Sequence, residues 1–253
     1  MTSVDIVLPV LNEEKDLPVS LDKLYGFLQA NMGGYQCRIV VADNGSTDST
    51  LEIAKRYKSK YPSRVDFIHL PEKGRGRALK KAWMESDSDI VSFMDIDLST
   101  RLEAFPPMIH AIDKEGYDIA IGSRLIKGSK VTRGLKREFI SRCYNLMIRM
   151  TFFTRFKDAQ CGFKAMNRRV VNELIPLVQD NTWFLDTELL IIAAKNGYRI
   201  KEIPVTWVDD PDTRVRIVRT VRTDIEGLFR LRFGGIPKPL KPSTLKEGAS
   251  PKK

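Results

Sequence analysis

Over residues 1–122 the chain alternates between two patterns. Apolar runs occupy 4–10, 37–42, 65–70, 90–94 and 118–122. Their length suits strands buried on both faces. Between them, apolar residues recur at helical spacing, as Leu17, Leu21, Leu24 and Leu28 do over 15–30. Gly33-Gly34 breaks that helix. Asn44-Gly45 and the Ser/Thr residues after it open a loop and the N-cap of a helix to residue 61. Gly74-Arg75-Gly76-Arg77 opens a helix through 83, and Pro106-Pro107 marks the start of one over 105–115. Strict alternation predicts the α/β class, with a mostly parallel sheet and helices on both faces.

After Ser123-Arg124 the pattern changes. Residues 127–136 form a basic, glycine-containing loop. Over 137–156, Phe139, Ile140, Cys143, Tyr144, Met147, Ile148, Phe152 and Phe153 are interspersed with Arg137, Arg142, Arg149 and Arg155. This spacing predicts an amphipathic helix, whose apolar side either enters a membrane interface or joins the core. Residues 158–166 read as an irregular segment. An apolar helix follows to Gly197, then a strand over 200–208 and a second basic helix over 214–232. The tail 234–253 combines four prolines with five lysines and is expected to be disordered. Domain limits are 1–233, with halves at 1–122 and 123–233, and 234–253 as tail.

Charge separates the halves. The chain carries 42 Lys+Arg against 32 Asp+Glu. Residues 1–121 have a net charge of −4 and residues 122–253 one of +14. A basic half suits a phosphorylated substrate, an anionic membrane or nucleic acid. The aromatic residues of 137–156 fall on a helical face and not on a stacking platform, which disfavours nucleic acid. Cys37, Cys143 and Cys161 are scattered and form no disulfide framework, pointing to a reducing compartment. The start of the chain reads directly into a strand, with no secretory signal pattern.

Asp95 and Asp97 end the fourth strand, at the sheet edge where ligands sit. In extended backbone, residues i and i+2 point the same way, so both carboxylates can hold one hard divalent cation, Mg²⁺ or Mn²⁺. The competing possibility is a solvated Asp-rich turn. Asp43 ends the second strand on the same edge and can accept base N–H donors or cap its own loop. Pro9, Asn12 and Glu13 end the first. Gly74 and Arg77 belong to a basic turn that can meet a diphosphate or sugar. That turn lacks the third glycine and the first-strand position of a dinucleotide fingerprint, which excludes a dehydrogenase. Lys73, Arg75 and Arg77 otherwise read as surface charge. No motif places the two histidines, His69 and His110.

Five stretches together resemble inverting glycosyltransferase family 2: Val-Leu-Pro-Val-Leu-Asn-Glu-Glu (7–14), Val-Ala-Asp-Asn-Gly-Ser-Thr-Asp-Ser-Thr (41–50), Asp-Ile-Asp-Leu-Ser-Thr (95–100), Gly-Ser-Arg (122–124) and Asp-Ala-Gln-Cys-Gly-Phe-Lys (158–164). The last two are similar to the branch that makes dolichyl- or polyprenyl-phosphate sugars, dolichyl-phosphate glucosyltransferases above all. The resemblance implies a single GT-A domain. It also implies a nucleotide held by Pro9, Glu13 and Asp43, a metal and diphosphate held by Asp95 and Asp97, and an acceptor phosphate met by Arg124, with Arg137 nearby. The expected reaction moves a hexose from UDP-glucose, or secondly GDP-mannose, to a polyprenyl phosphate. The expected location is peripheral, on the cytoplasmic face of a membrane. A hydroxyl acceptor would instead need a base, for which Asp186 is the candidate. Asn44 stands where many relatives carry a second Asp, and Ser99 where some carry a Gln beside the metal.

Overall fold

The computed structural model describes residues 1–208 and 217–239. Its central sheet is built from β1 (Ser3–Val10), β2 (Gln36–Asn44), β3 (Val65–Leu70), β4 (Ile90–Met94), β5 (Ile119–Ser123), β7 (Phe163–Asn167) and β8 (Ile200–Pro204). The strand order is β3-β2-β1-β4-β7-β5-β8. All neighbours run parallel except at β7, which is antiparallel to both β4 and β5. One sheet therefore draws strands from both sides of residue 122.

Both faces are covered, which is why the strands read as apolar runs. Val4, Ile6, Leu8 and Val10 point to a core shared with α1 (Asp16–Asn31), α2 (Thr50–Lys60) and α4 (Phe105–Asp113). Val7, Val40 and Phe93 point to the opposite core. That core is shared with α3 (Arg75–Glu85), α5 (Leu135–Phe152), α6 (Arg168–Leu174), α7 (Leu185–Lys195) and α8 (Ile217–Phe233). A short parallel pair, β6 (Lys130–Thr132) with β9 (Thr206–Val208), lies beside the main sheet. A bridge from Thr100 to Trp207 ties it to the loop after β4.

The second half departs from the pattern in several places. The segment expected to be irregular contains β7, the strand between β4 and β5. Its Lys164 is fully buried, and a lysine inside a strand masks the apolar run. Helix α6, capped by Asn167 Oδ1 accepting the Val170 N–H, was not anticipated. The single strand expected over 200–208 is two, β8 and β9, in different sheets. Residues 214–216 of the second basic helix lie outside the described residues. So do 240–253 of the tail; the described part, 234–239, carries no helix or strand.

Helix α5 carries a buried face and, opposite it, an exposed apolar stripe. Ser141, Asn145, Ile148 and Phe152 are buried. Leu135, Phe139, Leu146 and Met150 form an exposed stripe on the other side. Phe139 is 69% exposed and Phe152 only 3%. The expectation that these two share one face is therefore wrong. Helical spacing interleaves the two stripes along the sequence.

Candidate active site

The ends of β1, β2 and β4 meet at one edge, as their parallel register requires. The loops after β1 and β2 are laced together. Ser46 Oγ accepts the Asn12 N–H at 2.9 Å, and Asn12 Oδ1 accepts the Thr47 N–H at 2.8 Å. Thr50 Oγ1 accepts the Glu13 N–H at 2.8 Å. Asn12 thus braces the wall of the site, in a left-handed conformation at φ 57°. Pro9 is buried inside β1.

Asp43 reaches the edge but is sealed there, with 0% exposure. Its Oδ1 accepts the Ser46 N–H at 3.1 Å, and its Oδ2 lies 2.6 Å from His69 Nδ1. The group presented to solvent at that point is His69, which sequence reasoning left without a role.

Beyond β4 the backbone turns at once. Asp95 O accepts the Leu98 N–H at 3.1 Å, and Leu98 has φ 48°. The extended i, i+2 argument for Asp95 and Asp97 therefore does not hold. The two carboxylates come to one small hollow through this turn, with Ser99, Thr100, Gly162, Phe163 and Trp207. Gly162 sets its depth: a Cβ there would lie 1.7 Å from Asp95 Oδ2. Among the described residues no group of three or more His, Cys, Asp or Glu converges on a metal position. Two hard carboxylate donors in one hollow fit a divalent cation, which Asp95 and Asp97 would hold.

Arg75 joins this hollow to the next wall. It donates to Asp95 Oδ1 at 2.8 Å and to Asp186 Oδ2 at 3.0 Å. Its guanidinium packs 4.9 Å from the ring centres of both Phe93 and Trp183. Burial opposes its charge, but the two carboxylates override this and raise its pKa. Lys164 Nζ lies 3.5 Å from Asp186 Oδ1, so two buried cations balance two carboxylates. Sequence reasoning took Arg75 for surface charge. The glycines on either side could have flagged it. A Cβ on Gly76 would lie 2.7 Å from the Asn181 carbonyl carbon, so this turn must press closely on the loop before α7.

Gly74 donates its N–H to Asn44 Oδ1 at 3.1 Å, and Arg77 pairs with Glu72. Arg124 is held by Asp158 through Nε at 2.8 Å and Nη2 at 2.9 Å. Burial would push the Asp158 carboxyl up, but Arg124 overrides this and holds it at about 2. Arg124 also lies over Trp207 at 5.5 Å, with Arg133 at 5.9 Å. Its Nη1 makes no hydrogen bond among the described residues. Arg137 is half-buried in the first turn of α5.

Comparisons with known proteins bear on the family and the fold. The profile described as Glycosyl transferase family 2 matches residues 5–175, more than half of the chain. The Haloferax volcanii protein named Glycosyltransferase AglD is 35% identical over 86% of this chain and 35% of its own length. The Trichomonas vaginalis protein named Dolichyl-phosphate beta-glucosyltransferase ALG5C is 28% identical over 87% of this chain and 68% of its own length. The chain therefore spans about a third of the first relative and two thirds of the second. The solved structure of Mycobacterium tuberculosis glucosyl-3-phosphoglycerate synthase with Mn²⁺ and UDP-glucose superposes with a TM-score of 0.68. That match has 19% identity and covers 94% of this chain and 80% of the other. A parallel sheet with one antiparallel insertion, carboxylates at the end of β4 and a profile match across both lead to one conclusion: the chain belongs to glycosyl transferase family 2 and has its GT-A fold.

Proposed function

We propose that this chain transfers a hexose from a nucleoside-diphosphate sugar to a polyprenyl or dolichyl phosphate at a membrane surface. UDP-glucose is the first donor to test and GDP-mannose the second. The names of the relatives support the lipid acceptor, and the UDP-glucose and Mn²⁺ held by the solved neighbour support the donor class.

One observation carries the reading. The acidic hollow of Asp95 and Asp97 stands beside buried cations, and these engage Asp186, the candidate base. Asp186 is tied to Arg75 and lies against Lys164. A carboxylate already held by a guanidinium is not free to take the proton of a hydroxyl acceptor. A phosphate monoester has a second pKa near 6, so at neutral pH it is already largely a dianion and attacks without a base. Mg²⁺ or Mn²⁺ held by Asp95 and Asp97 would neutralise the diphosphate leaving group. Arg75 fixes the Asp95 carboxylate, and Arg124 offers Nη1 to the acceptor phosphate beside Arg137.

Among the described residues no helix is long and apolar enough to cross a membrane. The exposed stripe of α5 supports peripheral attachment. Arg142 and Arg149 flank Leu135, Phe139, Leu146 and Met150. Helix α8 adds Ile225, Phe229 and Phe233 at i, i+4 and i+8, the two phenyl rings stacked at 5.5 Å. Such faces lie in the interface of a cytoplasmic leaflet rich in anionic lipid.

The test is incubation with labelled UDP-glucose or GDP-mannose, a polyprenyl phosphate and Mn²⁺. The expected product is a lipid-extractable phosphosugar from one donor. Transfer to a soluble hydroxyl acceptor, with none to the lipid, would overturn the proposal.

A further inference from the structure

We infer that Gln160 couples helix α8 to the carboxylate and the arginine of the site, so that an anionic membrane under α8 tightens binding of the nucleotide and its metal. The inference rests on the reading above and names the regulation of that site.

Alternate residues of one loop hold three separate parts of the molecule. Asp158 is wholly buried and accepts from both Nε and Nη2 of Arg124. The Gly162 carbonyl accepts the Asp95 N–H at 3.1 Å, and its missing Cβ leaves the space that the Asp95 carboxylate fills. Between these two lies Gln160. Its backbone N–H donates to Asp158 Oδ1 at 3.2 Å, and its Nε2 donates to Asp224 Oδ2, also at 3.2 Å. Asp224 lies on α8 and is itself buried. A shift of α8 therefore acts on the loop that aims Arg124 and Asp95 together.

Helix α8 is seated on the other wall of the site as well. Asp224, Gly227, Leu228 and Leu231 form its buried face, at i, i+3, i+4 and i+7. A Cβ on Gly227 would lie 2.3 Å from the Phe184 ring, so α8 presses on the start of α7, beside Asp186. Arg230 Nη1 donates to Glu188 Oε1 at 2.9 Å. Glu188 is wholly buried and accepts the backbone N–H groups of Gln179 and Asp180. The next two residues, Asn181 and Thr182, press against Gly74 and Gly76 on either side of Arg75. The inner contacts of α8 thus end on elements that carry site residues.

The outer face of the same helix is apolar, through Ile225, Phe229 and Phe233. In water these side chains gain by folding back onto the protein, which draws α8 off its inner contacts. Lipid removes that pull. Arg222 and Arg232, both exposed, match an anionic leaflet in charge. A surface that favours the seated α8 shifts the site toward its assembled state, and the linkage is reciprocal: bound nucleotide must strengthen membrane attachment by the same factor.

The test uses vesicles of anionic phospholipid without polyprenyl phosphate. Affinity for UDP, or for GDP where UDP does not bind, is measured with and without them at matched free Mn²⁺. Vesicles should tighten nucleotide binding about 5-fold or more, and saturating nucleotide should tighten vesicle binding equally. Gln160→Leu, and Gln160→Ala as a smaller second variant, should still sediment with vesicles and still bind nucleotide, each without effect on the other. Asp224→Asn keeps an oxygen to accept the Gln160 amide and should keep the coupling; Asp224→Leu should lose it. Independent affinities in the unmodified protein, or undiminished coupling in the Gln160 variants, overturn the inference alone. Absence of vesicle binding, or of binding to both nucleotides, overturns the proposed function together with it.

Discussion

Arg75 Nη2 donates to Asp95 Oδ1 at 2.8 Å, joining the first turn of α3 to the end of β4. The same guanidinium holds Asp186 on α7. Arg75→Met leaves Asp186 buried beside Lys164 alone and should cost about 3–5 kcal/mol, the range for breaking a buried pair. Arg75→Lys keeps the charge but not the planar fork that spans two carboxylates. It should retain most of the stability and lose transfer by about 100-fold through a misplaced Asp95. Melting curves beside donor turnover separate the two effects. Full activity in Arg75→Lys would show that the bridge is only structural.

Gly162 gives a second handle on the same carboxylate. A methyl group there collides with Asp95 Oδ2, so Gly162→Ala must rotate the side chain away from the hollow. Asp95 is partly exposed and can move toward solvent. The expected outcome is a protein that melts normally, binds Mn²⁺ more weakly and transfers about 100-fold more slowly. Asp97→Ala, at an exposed turn, should abolish transfer with no change in melting temperature. Either variant active in the presence of a chelator would remove the metal from the scheme.

The two faces of α5 predict opposite outcomes for the same substitution. Phe139→Ser combined with Phe229→Ser alters residues 69% and 60% exposed and should leave stability nearly unchanged while releasing the protein from anionic vesicles. Phe152→Ser should cost about 3–5 kcal/mol, the range for emptying a buried aromatic site. For the unmodified protein, each basic residue near the surface adds about 1 kcal/mol, screened beyond about 8 Å at physiological salt. Vesicle binding should therefore weaken with salt without vanishing. Sedimentation of the double variant together with the vesicles would count against a membrane face.

Asp224 on α8 predicts a pH dependence of stability. It is 2% exposed, and Gln160 Nε2 donates to its Oδ2 at 3.2 Å. Burial, reinforced by Asp180 and Asp186, pushes its carboxyl up to about 7. A carboxyl raised in the folded state contributes stability that is full below about pH 4 and is lost as pH rises to about 7. Between pH 5 and pH 7 this amounts to about 2–3 kcal/mol, and only a few tenths more are lost by pH 8. Asp224→Asn is neutral throughout and should lack that slope. Urea titrations of both proteins at pH 5 and pH 8 measure the difference, and parallel profiles would refute it.

The first half of the fold was legible because its strands are buried on both faces. Burial on two faces leaves an apolar run in the sequence, and the helices between the strands leave their own period. The carboxylates at the ends of β2 and β4 followed from the same pattern, since a parallel sheet brings all such ends to one edge. Local order does not contain the rest. Asp95 is 20 positions from Arg75 and Asp186 is 111, so the bridge exists only once β4, α3 and α7 are packed together. Lys164 disguised β7 because its counter-charge, Asp186, comes from another element. Helix α5 showed that it was amphipathic but not which apolar stripe was covered, because a helix has no preference between a core and a lipid surface. Asp43 was visible as an edge carboxylate, whereas its burial beneath His69 depended on β3 pairing with β2 in one register. A side chain's periodicity is set by its neighbours in sequence. Its charge partner and its burial are set by strands that meet only in the folded sheet.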